Sequence, residues 1–139
     1  MAGKVSAKGA VISVDDSGGT ARNISADVIS YEIEYDIQKQ DVTGFSEGAQ
    51  NFVPGLPAIG VTMDVIWNTT ATTGARTVLS GIIGSATSKT VTIVPESGGP
   101  SFSGEFLLDA LPVSATPDGV IKIGSVHFSV MGAVAPAWA

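Results

Sequence analysis

Val28-Ile29-Ser30-Tyr31-Glu32-Ile33-Glu34-Tyr35-Asp36-Ile37 is the stretch that decides the fold. Its odd positions Ile29, Tyr31, Ile33, Tyr35 and Ile37 are apolar, and its even positions Ser30, Glu32, Glu34 and Asp36 are polar or acidic. A period of two belongs to a β-strand, whose successive side chains point to opposite faces. One face is therefore expected in a core, with Tyr31 and Tyr35 buried. The other presents three carboxylates spaced about 7 Å apart.

The same alternation recurs outward from this strand. Ile59, Val61, Met63, Val65 and Trp67 predict a second strand with Trp67 buried, and Phe102, Gly104, Phe106 and Leu108 begin a third. Val120–Val130 reads as a long final strand with a bulge at Gly124-Ser125, where the apolar parity blurs. Shorter strands fit Ala10–Val14 and Thr90–Val94. Between them stand Asp15-Asp16-Ser17-Gly18-Gly19, Pro95-Glu96-Ser97-Gly98-Gly99-Pro100 and Pro117-Asp118-Gly119, whose Gly, Pro and Asp suit turns. A single short helix is predicted, with Ala75, Val78, Leu79, Ile82 and Ile83 on one face, Thr72 or Thr73 as cap and Gly84 at its end.

Three regions fit neither period. Asp41–Gly60 holds Gly44, Gly48, Pro54, Gly55, Pro57 and Gly60 together with Phe45 and Phe52, and reads as a long loop. Loops of this length are usually functional, and its aromatics favour docking. Contact with a neighbouring subunit is expected there, with Phe45 and Phe52 as anchors, Pro54-Gly55 setting direction and Leu56 a further contact candidate. Residues 1–9 have no apolar alternation, and 131–139 combine Gly132, Pro136 and a lone Trp138. Both ends are expected to be arms that add little to the subunit's own sheet, with Trp138 as an anchor in a neighbour.

Composition narrows the function. The chain has 139 residues, enough for a single domain with its own core, and no cysteine, which removes disulfide and thiolate chemistry. Charged residues are only 14% and mean hydropathy is +0.34, so the surface is covered by Ser, Thr and Gly rather than by charge. That suits stacking against copies of itself. A net charge of −6 argues against binding nucleic acid by phosphate neutralisation. No apolar run approaches a membrane span, and the first residues lack the hydrophobic stretch of a signal peptide, so a cytoplasmic origin is expected.

The chemistry-bearing residues are few. His127 is the sole histidine, and Ser125 and Ser129 share its strand face by alternation, without a nucleophile-elbow motif. Glu32, Glu34 and Asp36 are neighbours on one face rather than carboxylates facing each other across a substrate. They are read as a solvated acidic face, or as a wall that repels a polyanion. No cofactor or metal motif appears. Two sequons, Asn23-Ile24-Ser25 and Asn68-Thr69-Thr70, are read as chance matches.

Three stretches together resemble the major tail tube proteins of long-tailed bacteriophages. The first runs from Ile24-Ser25 through the alternating strand to Asp41-Val42-Thr43-Gly44-Phe45 and Phe52-Val53-Pro54-Gly55-Leu56. The second is the lone helix near 72–84. The third is Phe102-Ser103-Gly104-Glu105-Phe106 through Thr116-Pro117-Asp118-Gly119-Val120 to Ser125-Val126-His127-Phe128. The resemblance covers residues 24–130. It implies a mainly β, sandwich or barrel-like fold with a flanking helix, and assembly into hexameric rings stacked around a channel for genome passage. It implies tape-measure, tail terminator and tail tip proteins as partners, DNA passing without specific binding, and a place in the virion tail after assembly in the host cytoplasm. In that setting Glu32, Glu34 and Asp36 would line the lumen. Contractile-tail and secretion-system tubes share this architecture. A head decoration or other capsid protein, and a carbohydrate-binding module using the aromatics, are the other readings.

Overall fold

The computed structural model describes Ser6 and residues 8–139. Among them nine strands form one antiparallel sheet: β1 (Val11–Asp15), β2 (Ala21–Asn23), β3 (Val28–Asp41), β4 (Phe52–Ile66), β5 (Lys89–Val94), β6 (Phe102–Ala110), β7 (Val113–Ser114), β8 (Lys122–Val130) and β9 (Ala137–Trp138). The helix α1 (Ala75–Ser80) lies between β4 and β5. The main path runs β2-β1-β5-β6-β8-β4-β3, with β7 on β8 and β9 on β6. The fold is thus mainly β with one short helix.

The sheet curls about its apolar face. Val14, Val61, Val65, Val91, Phe102, Phe106, Ile123 and Phe128, drawn from β1, β4, β5, β6 and β8, are fully buried in a single cluster. Tyr35 of β3 meets Phe102 of β6 edge-on at 6.2 Å, although β8 and β4 separate these strands along the sheet. Only a curled, barrel-like sheet allows that contact. Val78, Leu79 and Ile82 cover one end of the cluster. Burying each such side chain contributes roughly 1.5–3 kcal/mol, so propensity need not hold so short a helix.

The turns follow their chemistry. Between β1 and β2, Asp16 Oδ1 accepts from Gly18 N at 2.9 Å and Thr20 N at 3.0 Å, while Oδ2 pairs with Arg22 Nε at 2.8 Å. Gly19 takes φ 84°, a left-handed conformation that favours glycine. Lys89, buried at the start of β5, donates to Ser17 O of that turn at 3.4 Å. The bulge at Gly124-Ser125 is present: these two residues oppose Asp64 alone, Ser125 has φ 56°, and Asp64 Oδ1 accepts Ser125 N at 2.8 Å.

Four sequence expectations are corrected. The loop expected over Asp41–Gly60 is mostly strand: β4 begins at Phe52, pairs Asp41 with Phe52 and Lys39 with Pro54, and leaves only 42–51 as a turn. Proline and glycine misled because β3–β4 is a hairpin whose β4 side bulges at Gly55-Leu56, and Pro54 and Pro57 flank that bulge, where the donor that proline lacks is not needed by the ladder. Parity correctly aligned the faces of β3 but not its depth, since Tyr35 and Ile37 are half-exposed, as are Ile29 and, in part, Tyr31 and Trp67. The helix is not capped by Thr72 or Thr73. Gly74 is the N-cap, with no side-chain cap, Thr72 has φ 73°, and the helix ends at Ser80 before a turn to Gly84, leaving Ile83 exposed. Finally, the C-terminal segment does join the sheet. Phe102 pairs with Trp138 and Ser103 with Ala137, and Ala139 N donates to Ser101 O at 2.8 Å. The N-terminal arm, 1–9, lies largely outside the described residues.

Candidate assembly surfaces

Glu32, Glu34 and Asp36 are all exposed on the outward face of β3. Register extends that face across the sheet. Glu32 pairs with Thr62 and Glu34 with Gly60, and these pair in turn with His127 and Ser129 of β8. The next strand, β6, adds Asp109 and Glu105. Thr62 Oγ1 donates to Glu34 at 2.8 Å, and Ser88 Oγ donates to Glu105 at 2.9 Å, with Thr90 Oγ1 a further donor. With Asp64 at the bulge, six carboxylates share a broad polar face with one histidine. Sequence reasoning missed Asp64, Glu105 and Asp109. Parity within Phe102–Leu108 places Glu105 outward, but only the β6–β8 register brings it beside β3's face.

His127 does not form a catalytic arrangement. Its Nδ1 lies 2.8 Å from Asp109 Oδ1, and Ser129 Oγ donates to Asp109 Oδ2 at 2.7 Å, so both neighbours converge on one carboxylate. The far ring nitrogen, Nε2, faces Gly60, where an added Cβ would stand 3.2 Å away. A triad needs the serine on that far nitrogen. Burial raises the Asp109 pKa, but hydrogen bonds from Ser129 and His127 outweigh it and hold the carboxyl below its ordinary value.

The second surface is the β3–β4 hairpin. From Glu34 to Asp41 and from Phe52 to Ala58 nearly every residue is exposed, so the hairpin leaves the core as a two-stranded arm. Ile59 is the last buried side chain on β4 before the arm, which overhangs by about 23 Å from there to Phe52. Phe45 at the tip is fully exposed and Leu56 is 90% exposed. Phe52 is partly covered by Lys39, whose Nζ lies 4.4 Å from the ring centroid. Pro54 pairs with Lys39 beside the bulge. The structure therefore gathers Phe45, Phe52, Pro54 and Leu56 on one projecting element. Trp138 is separate from it, lying 5.4 Å from Phe102 in the same subunit with 48% of its surface exposed.

No protein-family profile and no curated protein sequence matches the chain. Its fold does match solved structures. One is a chain in the tail of an empty gene transfer agent (GTA) particle with C6 symmetry: TM-score 0.78, 15% identity, covering 98% of this chain and 99% of that one. A chain in the virion of a native GTA particle matches with TM-score 0.77 and 13% identity, covering 98% and 99%. At this identity the likeness is one of fold, and it spans the domain from end to end.

Proposed function

We propose that the chain is a structural virion protein, a tail tube subunit that forms hexameric rings stacked around an acidic channel for genome passage. The observation that carries this reading is the end-to-end fold match to a chain of a C6-symmetric GTA tail. The acidic face supports it. Placed toward the lumen, Glu32, Glu34 and Asp36, together with Asp64, Glu105 and Asp109, repel DNA phosphates within a Debye length of about 8–10 Å and keep the genome from adhering. The role is mechanical, with no bond made or broken.

Assembly uses what the fold leaves unfinished. The outer edge of β3 ends the sheet path and presents a row of backbone groups for a neighbour in the ring. The hairpin arm, with Phe45, Phe52, Pro54 and Leu56, supplies contacts that its own domain cannot make. Tape-measure, terminator and tip proteins are the partners this role requires in a virion tail assembled in the host cytoplasm. Negative-stain microscopy of the purified chain tests the reading. Six-fold rings or tubes are expected. Trimers, or binding only to a preformed shell, would point instead to a head decoration or other capsid protein.

A further inference from the structure

The two ends of the domain are complementary. At one end the arm carries exposed Phe45 and Leu56 beside the carboxylates of Asp41 and Glu47. The other end, roughly 46 Å away along β4, holds α1 and the β7–β8 connection. There Arg76 lies over the Trp67 ring, Trp67 N donates to Ile121 O, and Lys122 pairs with Ile66, so the two cations share this end. Val113, Val120 and Ile121 are exposed around them. A pocket of about 420 Å³ opens here, lined by Ser114, Ala115, Thr116, Gly119, Val120 and Lys122.

We propose that the arm tip of one copy seats in this β7–β8 pocket of a second copy, Phe45 entering beside Val120 and Glu47 facing Lys122. The occupant follows from charge and reach. An aromatic tip with Glu47 beside it matches a pocket whose wall is apolar at Ala115 and Val120 and whose rim carries Lys122, with Asp118 the one carboxylate on that connection. The arm overhangs its own domain in the direction a translated copy would occupy. Such a contact joins unlike surfaces at opposite ends of the domain and, between copies related by translation, repeats along an axis instead of closing into a ring. It rests on the tube reading and specifies how one ring grips the next.

The chain has no cysteine, so Phe45→Cys with Val120→Cys gives a clean cross-linking pair. Under mild oxidation, tubes of this variant should yield a ladder of covalent oligomers in denaturing electrophoresis. Tubes that yield only monomers would overturn the docking while leaving the tube reading intact. Charge exchange covers the case in which the cysteines block assembly. Glu47→Lys and Lys122→Glu should each shorten tubes several-fold, and the double variant should restore their length. Tubes of unchanged length from both single variants would overturn the docking. No rings or tubes from the unmodified chain would overturn the tube reading itself, and the docking with it.

Discussion

Asp27 ties the end of β4, the Asn68 turn and the start of α1 together. Its carboxylate accepts from Asn68 Nδ2 at 3.0 and 3.1 Å and from Ala75 N at 3.2 Å, and its backbone oxygen accepts Ile66 N at 2.8 Å. It thereby satisfies a donor at the start of α1 that no local side chain caps. Asp27→Ala strands Asn68 and Ala75 and should cost about 1–3 kcal/mol, read as a lower urea midpoint with an unchanged slope. This partner stands 48 residues from Ala75, which is why sequence placed the cap on the adjacent threonines instead. Asp109 gives a pH-dependent counterpart. Its folded pKa is depressed, so its contribution is present above the unfolded value of 3.8 and is lost as pH falls through the folded value. Asp109→Asn should melt lower than the unmodified chain at neutral pH, by under about 1 kcal/mol because the site is solvent-screened. The gap should close below pH 3.8. A gap that stays constant to strong acid would show that Asp109 acts through packing instead.

Among the elements, the C-terminal segment and the arm have opposite roles. Pro136 is buried against Gly104, where an added Cβ would stand only 2.5 Å from Pro136 Cβ, and Trp138 packs on Phe102. The segment therefore belongs to the subunit. Gly104→Ala should displace it, and Trp138→Ala should lower stability by about 1–2 kcal/mol in chemical denaturation, the scale of a half-exposed aromatic pair. An unchanged denaturation curve from Trp138→Ala would restore the view of 131–139 as an arm outside the fold. In Phe52→Ala, by contrast, the lost ring lies outside the core, so the melting curve should hold while tube length falls in micrographs. Alternation made most strands legible, including the bulge at Gly124-Ser125. It could not separate an arm from a core strand, because Ile37 keeps the apolar parity of Tyr31 and Ile33 although it is half-exposed, beyond Tyr35, whose ring still touches Phe102. Nor could it reveal β9, whose pairing depends on Gly104 admitting Pro136 from a distant part of the chain.

For the whole molecule, charge placement links fold to function. Carboxylates gather on the outward face of β3, β4 and β6, while Arg22 is held on Asp16, Lys39 on the arm, Arg76 over Trp67 and Lys89 on the β1–β2 turn, and Lys122 stands at the Ile66 end of that face. From sequence, only the β3 part of that face was legible, because the rest depends on register between strands far apart in the chain. Under the proposed tube role, a face so acidic would line the channel and repel a polyanion. The most direct measurement is a cryo-electron microscopy reconstruction of the assembled, purified chain. Stacked rings of six subunits with Glu32, Glu34 and Asp36 on the channel wall are expected. A tube with these three carboxylates on its outer surface, or a discrete trimer in place of a tube, would contradict that expectation.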